Sequence, residues 1–322
     1  MERNARKFEE FNKLYRGETI GRLPMDIISF IEYRKDLYHL GEVEYAVKAG
    51  EVGVSKDGKK RFTKDGGVWN VANKAYVTAE DVLNIDLDHY PIEAVDEKML
   101  SAMRQMFDEK AKDFYPVPWH YGTLLSRCEI EFGWEPLLEC SALEPEAFSK
   151  ILEHFARQSL AVIEGWAKTD GVELVIIHDD IASTRGVIWS PEWLRKYAFP
   201  WYEKMFAKVH EYGKKALYIT DGNYKEVIDD ILALDPDGLY CESTSISPEF
   251  VCDKGGPERF YLIKTDSRNI DIGTKEQIEN ECKMLRDLNH KYPKMWSYSG
   301  GGNINDENES YFKEMYEKYL RY

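Results

Sequence analysis

The apolar positions of this chain follow two spacings in turn. Residues 4–16 carry Phe8, Phe11, Leu14 and Tyr15 at helical spacing before Gly17 stops the run. A longer stripe, with Phe148, Ile151, Leu152, Phe155 and Leu160, runs through 144–169, and further helical stretches cover 96–114, 275–290 and 307–320. Between them lie short strand-like runs: Val172 to Ile177, then 214–220, 237–243, 259–266 and 294–299. Runs of that length flanked by helices read as parallel strands buried on both faces. Strand and helix in alternation predict an α/β fold, and right-handed crossovers bring the carboxyl ends of the strands to one rim.

The clearest stretch is Gly171 to Glu242, which reads strand, loop, helix, strand, loop, helix, strand. Ser190 is a natural N-cap, Pro191 suits the first helical position, Pro200 should kink the helix, and Gly213 can take its left-handed end. Residues 51–77 have another texture. Lys56-Asp57-Gly58 and Lys64-Asp65-Gly66-Gly67 interrupt strand-like runs, which predicts an antiparallel hairpin excursion there. No repeat, linker or charge block divides the chain, so residues 1–322 are read as a single domain.

Three of the strands end in acids: His178-Asp179-Asp180, Asp221, and Cys241-Glu242. Asp180 lies about ten residues before the helix opened by Ser190-Pro191. Gly222-Asn223 turns the chain after the next strand, and Asp237-Gly238 opens the one after that. This pattern resembles the uroporphyrinogen decarboxylase superfamily, which includes cobamide-dependent methyltransferases. The opening helix with Arg22 and Pro24, and Asp266 followed by Ile272-Gly273-Thr274, are similar to the same superfamily. The resemblance implies a (β/α)8 TIM barrel with the 51–77 hairpin near its mouth. Proteins that resemble the chain often form homodimers.

Composition narrows the partners. With 43 Lys+Arg against 58 Asp+Glu the net charge is -15, which disfavours nucleic acid and anionic membrane surfaces. Five scattered cysteines, none in a CxxC pair, suit a reducing cytoplasm, and no apolar run reaches the length of a membrane span.

Asp179, Asp180, Asp221 and Glu242 are the candidate catalytic groups. His120, Trp119, Trp69, His178, Tyr218, Asp266, Arg268 and Ser299 are candidates for holding a small-molecule substrate. So many acids at one mouth need a metal ion, a protonated carboxyl or a cationic substrate to relieve their repulsion, and some should instead cap helices. Gly300-Gly301-Gly302 lacks the context of a nucleotide-binding motif.

Departures from the superfamily sort the functions it implies. The arginine-rich stretch that true decarboxylases carry after the first Arg-x-Pro is replaced by Asp26-Ile27-Ile28-Ser29-Phe30, which argues against the porphyrinogen reaction. The His-x-Cys and distant Cys that bind zinc in thiol-methylating members are absent, so zinc would need a relocated site drawing on Asp221, Cys241 and Glu242. The leading expectation is an enzyme that moves a methyl group from a substrate such as a methyl ether to a corrinoid protein. The alternatives are a decarboxylase or lyase acting on a small substrate, and a non-catalytic ligand-binding barrel.

Overall fold

The computed structural model describes residues 3–33, 76–298 and 305–322, together with the backbone of three short strands, Gly53–Val54, Lys60–Phe62 and Val68–Asn70. Among the described residues seven parallel strands form one sheet in chain order. They are β1 (Ile28–Ile31), β2 (Tyr115–Tyr121), β3 (Leu174–His178), β4 (Lys215–Ile219), β5 (Gly238–Glu242), β6 (Phe260–Lys264) and β7 (Met295–Tyr298). The sheet curls until its ends meet: the Ser297 amide donates to the Pro24 carbonyl at 2.9 Å, and the rings of Phe30 and Tyr298 lie 6.4 Å apart. This is the α/β barrel expected. The stretch around 115–121 is second in the sheet, pairing directly with β1 through Ile28 and Tyr115.

Side chains alternate across each strand, and that period of two sorts the core into two regions. Tyr115, Val117, Leu174, Ile176, Leu217, Ile219, Tyr240, Phe260, Leu262 and Trp296 fill the barrel interior. Their neighbours in sequence, such as Val175, Ile177, Tyr218, Cys241 and Ile263, pack outward against the helices. The helix Ala5–Arg16 plugs the end where the strands begin, with Phe11 stacked on Tyr115. The opposite end, where the strands finish, is left for chemistry.

The local signals act where the sequence places them. The Ser190 hydroxyl accepts from the Trp193 amide to start the helix Pro191–Tyr197, and near Pro200 the chain restarts as a second helix, Phe199–Glu211. The three short strands pair antiparallel; the Asp-Gly pairs between them lie outside the described residues. The helix Asp306–Tyr319 ends beside the entry to β1: Leu23 donates to the Leu320 carbonyl at 2.8 Å and the Tyr316 hydroxyl to the Leu23 carbonyl at 2.7 Å. None of the helices among the described residues is long and apolar enough to cross a membrane.

Candidate active site

The interior ends of the strands bring together Phe30 from β1, Trp119 and Tyr121 from β2, and His178 from β3 with Asp180 just beyond it. Asp221 follows β4, Tyr240 and Glu242 come from β5, Lys264 from β6 and Tyr298 from β7. Contacts run from one to the next. Phe30 lies 5.6 Å from Trp119, Trp119 is 5.8 Å from Tyr121, and Tyr121 is 4.5 Å from His178, between ring centroids. The Trp119 indole donates to His178 Nδ1 at 3.0 Å, and His178 Nε2 lies 3.0 Å from Asp180 Oδ1. That same oxygen accepts the Asp221 amide at 2.9 Å. Across the mouth the Lys264 amine sits 2.9 Å from Glu242, and the hydroxyls of Tyr240 and Tyr298 are 3.3 Å apart. One half of the ring is therefore aromatic and the other charged.

Asp180 and Asp221 are displaced in opposite directions. Burial works against the charge of Asp180, but His178, the Asp221 amide and Tyr121 outweigh it and hold its pKa below the usual carboxylate range. Among the described residues none donates a hydrogen bond to the Asp221 carboxyl. Burial, then the negative charge of Asp180, push its pKa up to about 6, with Glu242 adding to the rise and His178 and Lys264 opposing it. Burial also disfavours the charge of Lys264, yet the Glu242 carboxylate more than compensates and keeps the amine cationic.

Four expected site residues face the other way. His120 is buried against the long helix Pro145–Lys168, its Nε2 2.9 Å from the Ser159 hydroxyl. Asp179 is fully buried and accepts the amides of Leu124, Leu125 and Ser126 and the Tyr202 hydroxyl, at 2.5 to 3.1 Å, so it closes the start of the helix Leu125–Phe132. Burial raises its pKa while those donors act in the opposite sense, and no acceptor of Asp179 faces the mouth. Tyr218 packs between Tyr202 and Phe206 and donates to the Asp179 carbonyl. Cys241 is buried on the helix side, its thiol donating to the Ile246 carbonyl. One physical reason covers all four. Each stands one residue out of phase with an inward neighbour, and a step of one along a strand reverses the face.

The set Asp221, Cys241 and Glu242 is therefore not assembled as a metal site, because Cys241 points away from Glu242. Asp266 caps the short helix Ser267–Ile272 and grips Arg268 with both oxygens, at 3.0 and 2.7 Å, and the Arg268 side chain stays exposed. The Trp69 side chain, Ser299 and residues 300–302 lie outside the described residues. Tyr121, Tyr240, Lys264, Tyr298 and Phe30 are the groups that sequence reasoning left out of the site. Stepping by two from Trp119 reaches Tyr121, and stepping by two from Glu242 reaches Tyr240; Lys264 shows no comparable signal beyond its place at a strand end.

Among the described residues, His178, Asp180 and Asp221 offer ligand atoms within 4.8 Å of one another, and this group could hold a metal ion. Its donor chemistry depends on where the His178 proton sits. An indole N–H only donates, so in the neutral imidazole Nδ1 accepts and the ring proton is on Nε2, the atom a metal would need; burial disfavours the cation, but Asp180, with Asp221 and Asp179, outweighs it and holds the His178 pKa above its ordinary value. In that tautomer the trio carries a proton where a metal would bind, and a metal would have to displace it.

A parallel barrel with an acid-lined mouth defines an α/β-barrel protein of the kind whose sites lie at the carboxyl ends of the strands. The chain belongs to the uroporphyrinogen decarboxylase (URO-D) family, whose sequence model matches residues 118–292. Among solved structures it is similar in fold to a methyltransferase from Methanosarcina mazei, at 13% identity and a TM-score of 0.60, over 97% of this chain and 98% of that one. A xylanase 10B from Thermotoga maritima is similar only loosely, with 12% identity and a TM-score of 0.45 over 96% and 98% of the two chains. None of the curated proteins matches.

Proposed function

We propose that this chain is a methyltransferase that takes a methyl group from a small organic substrate, such as a methyl ether, and delivers it to the corrinoid of a partner protein. The observation that carries the proposal is the side-by-side pair Asp180 and Asp221, whose pKa values are driven apart. Carboxyls separated in this way take separate acid and base roles. When the carbon–oxygen bond of an ether breaks, the oxygen keeps the bonding electrons and needs a proton. Asp221, with a pKa of about 6, is protonated below that pH, keeps a minor protonated fraction at neutrality and can regain its proton from solvent. Asp180 stays ionised, and its charge is part of what keeps the Asp221 proton in place.

The corrinoid would supply the nucleophile that accepts the methyl group. The side chain of Asp180 keeps 23% of its surface exposed, so the cluster is reachable from outside, as an acceptor carried by another protein requires. Phe30, Trp119, Tyr121 and Tyr298 would flank the organic part of the substrate, and Lys264 would offset the surplus of acids. Likeness of fold to the M. mazei methyltransferase supports the same reading.

Membership of the URO-D family and the Lys264 cation favour a second reading, a decarboxylase or lyase on a small substrate. There the Asp221 proton would go to the carbon that loses carbon dioxide. One experiment separates the two. The purified chain is incubated with methyl ethers and with small carboxylic acids in the presence of a reduced corrinoid protein. Substrate-dependent change in the corrinoid spectrum that is lost in Asp221→Asn supports methyl transfer; release of carbon dioxide without that change replaces it with the lyase reading.

A further inference from the structure

We infer that Trp119 is a positioning residue: it locks His178 in the tautomer protonated on Nε2, which closes the cluster of His178, Asp180 and Asp221 to metal and reserves it for protons. The inference rests on the proton-handling site described above and is independent of which substrate that site takes.

The geometry has a direction. Indole Nε1 lies 3.0 Å from His178 Nδ1, and the two rings are within 20° of parallel with centroids 5.6 Å apart. Within that arrangement the indole N–H is directed at His178 Nδ1. Nδ1 therefore accepts, and Nε2 carries the proton that Asp180 Oδ1 receives at 3.0 Å. A histidine that binds metal has the opposite polarity: one nitrogen gives its lone pair to the metal, and the other donates its N–H to a carboxylate or carbonyl. Moving the proton to Nδ1 would set it against the Trp119 N–H, donor facing donor. The indole cannot reverse its role, because it has no acceptor. Phe30 and Tyr121 also pack on the Trp119 ring, at 5.6 and 5.8 Å, and hold it in place.

The test needs no substrate. In the full chain labelled with 15N-histidine, at a pH where the ring is neutral, a long-range proton–nitrogen spectrum should show His178 protonated on Nε2 and bare on Nδ1, assigned by the signal lost in His178→Asn. Titration with zinc chloride should then show binding at least about tenfold tighter in Trp119→Phe than in the natural chain, the scale on which groups behind metal ligands act. The gain should disappear in the double variant Trp119→Phe with Asp221→Asn. A neutral His178 carrying its proton on Nδ1 in the natural chain overturns the inference, and so does equal zinc affinity in the natural and Trp119→Phe chains. The spectrum of the natural chain decides the matter even where the variant fails to fold. Neither readout uses methyl transfer, so a failed activity assay leaves this result standing.

Discussion

Asp180, whose Oδ1 accepts the Asp221 amide, and Asp221 behave differently because burial is outweighed by donors at the first and reinforced by negative charge at the second. Asp180 receives His178, Tyr121 and a backbone amide, whereas Asp221 meets Asp180 and Glu242. If Asp221 donates the proton, Asp221→Asn should lower kcat about 10²- to 10⁴-fold, the range of a lost general acid. In the natural chain kcat/KM should fall as pH rises through about 6, where Asp221 ionises. Asp180→Asn should move that fall to lower pH, since the charge holding the proton is gone. Stability follows the same pKa. Asp221 starts from an ordinary value of 3.8 and is raised in the folded state, so its favourable contribution is full below about 4 and is lost as pH climbs through about 6. Asp221→Asn should thus raise Tm relative to the natural chain at pH 8 and match it at pH 4, with a difference on the order of 3 kcal/mol.

At the scale of elements, the His178-Asp179-Asp180 run shows how one strand end serves two purposes. Asp180 faces the mouth, while Asp179 turns outward and gathers three amides at the start of Leu125–Phe132 together with the Tyr202 hydroxyl. Asp179→Ala would leave buried donors without an acceptor, at about 1–3 kcal/mol each. Urea unfolding should show a loss of several kcal/mol, whereas Asp221→Asn at acid pH should show almost none. The repulsion expected among so many acids is relieved within the barrel. Asp179 and Asp266 serve as helix anchors, Asp221 holds a proton below about pH 6, and Lys264 brings a cation within 2.9 Å of Glu242.

Over the whole molecule, closure depends on the two ends of the chain. Residues 21–24 are held by the last helix through Leu23, Leu320 and Tyr316, and by the Tyr322 amide on the Gly21 carbonyl. The Pro24 carbonyl in turn receives Ser297 at the seam between β1 and β7. Removing residues 306–322 should therefore open the seam and replace a single cooperative melt by a broad one, as read by far-ultraviolet circular dichroism.

Helices, strand ends and the barrel class could be read from the chain because their causes are local: apolar spacing, the Ser190 cap and the Pro200 break. The membership of the site was only half legible. Trp119, His178, Asp180, Asp221 and Glu242 could be named from their places at strand ends, but so could His120, Asp179, Tyr218 and Cys241, which the fold turns toward the helices. A strand buried on both faces carries no polar alternation to reveal its phase. Only pairing with its neighbours decides which residues look inward. Lys264 and the Trp119 bond to His178 belong to the same category, since each gains its meaning from a partner 22 or 59 residues away along the chain. The sequence by itself determined the elements and the rim where acids gather. Tertiary structure alone decided which acid keeps a proton, because a pKa is set by the groups brought within reach of it.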